Sequence, residues 1–261
     1  MVEGEGDVTP VLASLLTDFG DAIEFIFVSR EGRGGADIGG GQVLELTWTH
    51  LKLTLTAIAI ATAIALPLGV WLGHTGRAAF LAISVSNIGR AVPSIGIVFR
   101  FFAILGAGFW NITLALVLLA IPPILTNAYV GVREVHPEAV DAARGMGMSG
   151  AQIARLVELP LALPLIFGGI RISAVNIIAT ATLGPEGGVV TLGDPIINPS
   201  TYGDAGRLGA AIVVAVLAVI AEVSLSAVQR AITPEGLKLT QQRPSRRLRF
   251  PIPRRRVAPA P

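Results

Sequence analysis

Between Lys52 and His74, residues 53–73 contain no Asp, Glu, Lys or Arg. No other feature constrains the chain as tightly. A hydrocarbon core about 30 Å thick is crossed by a helix of roughly 20 apolar residues, and this run has that length. Composition points the same way. Hydrophobic residues make up 52% of the 261 residues and charged ones 15%, with a mean hydropathy of +0.68. An average soluble chain is about 25% charged, so lipid is expected to cover part of this surface. With no cysteine, disulfide frameworks, thiolate metal sites and thiol nucleophiles are all excluded.

Four further stretches read as spans. Ala78 to Leu105 is apolar but interrupted by Arg90, Pro93 and Arg100, and Gly106-Ala107-Gly108 turns the chain. Asn111 to Gly131 follows, with a kink expected at Pro122-Pro123. Leu161 to Leu183 carries Arg171, and Leu208 to Val228 carries Glu222. Between these last two, Gly184 to Asp204 is rich in Gly and Pro and reads as a loop. The expected fold class is therefore an all-α integral membrane protein with about five transmembrane helices. Buried charge is costly in lipid and faces a polar route or a partner. Arg90, with Pro93 and Ser94 after it, is assigned to the translocation path. Arg171 and Glu222 are read as structural.

Residues 9–29 differ. Leu12, Leu15, Leu16, Phe19, Ile23 and Ile26 recur at helical spacing among Asp18, Asp21 and Glu24. This predicts an amphipathic helix at the membrane surface or on other helices, followed by a flexible linker over residues 30–42. The first residues carry acids where a secretory leader carries a basic region, so insertion through the chain's own spans is expected. Three regions result: an acidic extracytoplasmic segment 1–42, a transmembrane domain 43–235 and a basic tail 236–261. Loops rich in Lys and Arg stay cytoplasmic. That rule places Arg77, the loop with Arg133, Arg144 and Arg155, and the tail inside, with the N-terminus and the 184–206 loop outside.

The polar segment 132–160 reads VREVHPEAVDAARGMGMSGAQIARLVELP. Pro137 suits the first helical position, and Glu138 and Asp141 complement the helix dipole. Val135, Ala139, Ala142, Ala143 and Met146 line one face of small and apolar side chains. Gly145 and Gly147 stop this helix. Ser149 and Gln152 match a capping box for a second one, and Pro160 starts the return into the membrane. A compact helical hairpin is expected on the cytoplasmic side.

Its spacing resembles the EAA loop of the permeases of binding-protein-dependent ABC importers, E-A-A-x3-G-x9-I-x-L-P. Here the residues are Asp141-Ala142-Ala143, Gly147, and Val157-Glu158-Leu159-Pro160. The resemblance implies that the hairpin docks on an ATPase subunit. It implies coupling roles for Glu138, Asp141, Ala142, Ala143, Gly147, Glu158 and Pro160. Val157 to Pro164, Gly168-Gly169-Ile170-Arg171, Ala179 to Leu183, and Asn87 to Ser94 resemble the osmoprotectant branch, importers of glycine betaine, carnitine and choline. That branch carries an I-G-A-G-G-L-G type loop where this chain has Leu183 to Val190. The implied partners are a cytoplasmic ATPase dimer that binds the ATP, a second copy or sister permease, and an extracytoplasmic binding protein. The implied location is a bacterial plasma membrane. No cofactor, metal or nucleic acid is expected in this chain, and the arginine-rich tail is assigned to anionic lipid.

Two rival classes are set aside. An intramembrane hydrolase needs a paired nucleophile and base at membrane depth, and the sequence places none. Gly145 to Gly150 matches G-x-G-x-x-G only formally, without the strand that a dinucleotide site requires. A non-transport scaffold would not need a hairpin of this spacing. Permeases for other small solutes, such as amino acids, share the loop.

Overall fold

The computed structural model describes residues 9–32, 35, 37–76 and 93–233. Arg77, Arg90, the rest of the 77–92 segment and the basic tail lie outside the described residues. Helix α1 spans Thr9–Phe27, and strands β1 (Ser29–Glu31) and β2 (Asp37–Gly39) form a small antiparallel hairpin. Helices α2 (Gly41–Thr75), α3 (Ser94–Leu105) and α4 (Phe109–Arg133) follow. Next come α5 (Pro137–Gly145), α6 (Gly150–Ile153), a π-helical turn (Ala154–Glu158) and α7 (Leu159–Thr180). A 3-10 stretch (Ala181–Gly187), α8 (Gly193–Ile197) and α9 (Pro199–Ile232) complete the chain.

Among the described residues, four helical segments are long and apolar enough to cross a membrane: Gly41–Thr75, Phe109–Arg133, Gly150–Gly187 and Pro199–Ile232. Within the second expected span, α3 is a shorter apolar helix. The charge-free run 53–73 lies inside α2. At about 1.5 Å per residue, the 35 residues of α2 extend well beyond the hydrocarbon core at one end or both.

The core is built on close backbone approach. Leu53, Ala57, Ala61, Ala65, Gly69 and Gly73 recur every fourth residue on α2, and all are buried. This stripe faces α4. A Cβ at Gly69 would stand 2.6 Å from Ala128 Cβ, and one at Gly73 would stand 2.7 Å from Val132 Cβ. Lipid tails are as apolar as leucine, so membrane helices associate through such small-residue packing. Helix α7 joins the pair in the same way, with Gly169 against Asn127 and the Pro123 carbonyl. Pro122 and Pro123 sit inside α4 without ending it. Asn127 Nδ2 donates to the Pro123 carbonyl at 2.8 Å, and the Ser173 hydroxyl donates across to the Ala120 carbonyl at 3.0 Å. These side-chain donors add bonds to carbonyls flanking the prolines, and the second one ties α7 to α4.

Several expectations need correction. The linker 30–42 includes an ordered hairpin. Its backbone crosses itself so closely at Gly40 (φ 47°) that a Cβ would lie 2.7 Å from the Ser29 backbone nitrogen. Arg30 ties the hairpin to α1 through Glu24 at 3.3 Å. The amphipathic α1 seats Ala22 and Phe25 on α9, where Gly206 and Gly209 leave room. Leu16, Phe19, Ile23 and Phe27 remain exposed. Much of the expected 184–204 loop is helical. The Thr191 hydroxyl donates to the Ala181 carbonyl at 2.9 Å, and the Tyr202 hydroxyl donates to Asp194 Oδ2 at 2.6 Å. The expected span Leu208 to Val228 lies inside a longer helix. That helix starts at Pro199 and bends at Gly203, whose φ of 69° only glycine adopts easily.

Candidate functional site

The segment between α4 and α7 folds as the capping signals dictate. Pro137 opens α5, with Glu138 in its first turn and Arg144 in its last. The helix ends in a Schellman motif. The Gly147 N–H bonds to the Arg144 carbonyl at 2.9 Å, and the Met148 N–H bonds to the Ala143 carbonyl at 3.2 Å. Gly147 takes the left-handed conformation (φ 80°) that this motif needs. Ser149 and Gln152 then form a reciprocal capping box, with Gln152 Oε1 2.7 Å from the Ser149 N–H. Pro160 does not mark a break. The second helix widens into the π turn and runs on into α7, so the hairpin's second arm is the root of a span.

The candidate coupling residues divide by exposure. Glu138, Asp141, Ala142 and Gly147 are exposed, and Ala143 is buried. Met146, at 75% exposure, projects from the tip. The small-residue face is therefore split, with Ala143 packed inward and Ala142 and Met146 outward. Asp141 pairs with Arg144 at 3.3 Å on the exposed surface. Pro160 is half-buried.

Glu158 behaves differently from the other candidates. It is buried, and its Oε2 lies 2.7 Å from His74 Nδ1 in the last turn of α2. A carboxylate only accepts, so Nδ1–H is the donor. A cleft of about 210 Å³ opens beside the pair, lined by Arg133, Val140, Asp141 and Arg144 among others. In the sequence His74 stands out only as the end of the uncharged run. A usable signal existed: a histidine in a helix's last turn, two residues before a terminating glycine, is placed to bond whatever packs on that end. Among the described residues no cluster of metal-ligating side chains occurs.

Of the expected path residues, Pro93 caps the start of α3 and is exposed, Ser94 is half-buried, and Arg90 lies outside the described residues. Arg171 and Glu222 meet at 3.3 Å and join α7 to α9. This agrees with their structural reading.

A bundle of long apolar helices, with a capped polar hairpin emerging between two of them, defines a multi-pass membrane protein. Residues 65–235 match the family model described as "Binding-protein-dependent transport system inner membrane component", and the chain belongs to that family. It is a membrane permease subunit of such a transport system.

Similar proteins include the glycine betaine/carnitine/choline transport system permease protein OpuCB of Bacillus subtilis. That protein is 37% identical over 200 residues, which cover 76% of this chain and 92% of the relative. The carnitine transport permease protein OpuCD of Listeria monocytogenes is 36% identical, over 75% of this chain and 88% of its own. Among solved structures, the inward-facing MetNI methionine ABC transporter has a chain of like fold. The TM-score is 0.63 at 22% identity, covering 74% of this chain and 96% of that one.

Proposed function

We propose that this permease carries a small osmoprotectant such as glycine betaine, choline or carnitine into a bacterial cell, driven by a separate ATPase. The observation that carries the coupling half of this reading is the Schellman-closed, capping-boxed hairpin. It presents Asp141, Ala142 and Met146 outward from the root of α7. Short, rigid and half apolar, it suits a groove on a partner. A docked ATPase dimer that closes on ATP binds one state of the permease better than the other, and that difference is what drives alternation. Glu138, Asp141, Ala142, Ala143, Gly147, Glu158 and Pro160 are the residues assigned to coupling.

The substrate half rests on relatives more than 30% identical over most of both chains whose names carry those solutes. Residues 43–235 form the permease domain, and a second copy or a sister permease completes the pore. A binding protein delivers solute at the face carrying α1 and residues 184–206. The N-terminus lies outside, and the basic tail 236–261 lies on the anionic inner leaflet. Arg90, Pro93 and Ser94 border the path, so loss of uptake is expected for Arg90→Gln. Normal transport at normal expression would remove Arg90 from it.

Two measurements test the reading. An ATPase subunit should co-purify with the solubilised permease, and expression should confer uptake of labelled betaine, choline or carnitine. Uptake of labelled amino acids in their place would move the substrate to the alternative class. Absence of any bound ATPase would end the importer reading.

A further inference from the structure

We propose that His74 and Glu158 are positioning residues that clamp the docking element to the first long helix, so that both move as one body when the ATPase closes. This deepens the ATPase-docking reading and rests on it. Glu158 closes the π turn that joins the docking element to α7. A π turn adds one residue to the helical register and so rotates the side chains beyond it by roughly 100°. Glu158 is the last residue of that turn, and its carboxylate lies inward, where its side chain is only 8% exposed. Burying a carboxylate is costly without a hydrogen-bond partner. That partner comes from 84 positions earlier in the chain, at 2.7 Å.

The imidazole is gripped at a second point. A Cβ on Gly150 would lie 3.2 Å from His74 Nε2, so the ring also rests against the first residue of α6. His74 therefore touches both the start and the end of the 150–158 segment. On its own helix, His74 follows Gly73, whose Cα packs on Val132 and the Tyr129 carbonyl of α4. A push on the docking element thus passes through Glu158 to His74, and from there to an α2–α4 pair with no slack between its backbones. Without the clamp, α5 and α6 remain free to engage the ATPase, yet their motion is no longer delivered to the first span.

The test uses the whole transporter, permease with ATPase and binding protein, reconstituted in liposomes. Solute uptake and ATP hydrolysis are read in the same vesicles. His74→Ala and Glu158→Ala should each lower uptake per ATP hydrolysed by at least about fivefold, while the ATPase still co-purifies. The double variant should be no worse than the weaker single. An asparagine amide nitrogen occupies the place of Nδ1, whereas a glutamine amide nitrogen occupies that of Nε2. His74→Asn should therefore keep most of the coupling and His74→Gln should lose it, which separates clamping from folding. Equal ratios for these two variants, or losses that multiply in the double variant, would overturn the clamp. If the unmodified permease binds its ATPase and the variants couple normally, the clamp alone fails. If the unmodified permease binds no ATPase, the docking reading fails and the clamp with it.

Discussion

Gly69 of α2 lies so close to Ala128 of α4 that a methyl group on the glycine would meet the alanine Cβ at 2.6 Å. With Gly73 against Val132 one turn on, this contact sets the spacing of the two central helices. It also accounts for the small residues at every fourth position from Ala57 to Gly73.

Substitution at that contact should be costly. Gly69→Val is expected to lower stability by about 1–3 kcal/mol through overpacking, seen as a reduced thermal midpoint in detergent. Gly168→Ala is the control, because nothing lies within 4 Å of its added methyl. Its midpoint should not fall, since the added methyl meets nothing and alanine is favoured over glycine in a helix interior by about 1 kcal/mol.

The Arg171–Glu222 pair should behave as a coupled unit. Removing either partner leaves the other charge alone among apolar helices. Arg171→Leu and Glu222→Leu should each destabilise more than the double variant, with a coupling of about 1 kcal/mol in a double-mutant cycle. Additive losses would show that the two charges act independently.

Gly147 is required by its backbone. Alanine in the left-handed region costs about 1–2 kcal/mol, so Gly147→Ala should weaken the hairpin and reduce ATPase co-purification. Gly147→Asn should be milder, because asparagine tolerates that region better. Equal binding by all three proteins would mean the Schellman turn is not part of docking.

Tyr202 locks the opposite end of the molecule. Its hydroxyl donates to Asp194 at 2.6 Å and accepts from Gln42 Nε2 at 3.3 Å, while its ring meets Phe25 edge-on. Tyr202→Phe keeps the ring contact and loses the hydrogen bonds, at about 1–3 kcal/mol. Faster amide exchange over residues 193–203 is expected. ATPase binding should be unchanged, because Gln42 and His74 are roughly 48 Å apart along α2.

Elements governed by local rules were legible in advance. The Ser149–Gln152 box, the stop at Gly147 and the first position of Pro137 stand where residue identity places them, since each depends on neighbours within a turn or two. Spans could be read from runs of uncharged residues for the same reason. The hairpin at 29–39 was not legible, because its three-residue strands are too short for a period-two pattern and are held by Phe25 and by Arg30 with Glu24. The helical content of 184–204 was hidden in a stretch whose glycines read as breakers. There Gly184, Gly187 and Gly193 serve close packing, with a Cβ on Gly184 standing 2.7 Å from Thr191 Cγ2.

The sequence by itself determined that this chain lives in a membrane, roughly where it crosses, and that a capped polar hairpin interrupts the crossings. Uncharged length and helix-end chemistry are local quantities, and they suffice for that. Only the tertiary structure decided what each small residue is for and which polar groups meet. Gly69 became a helix contact once α4 lay against it. Glu158, one coupling candidate among several in the sequence, became the buried partner of His74 because a π turn and an 84-residue excursion bring them within 2.7 Å. A separation of that kind leaves no periodic trace in the chain, since it depends on how three helices pack and not on any neighbour in sequence.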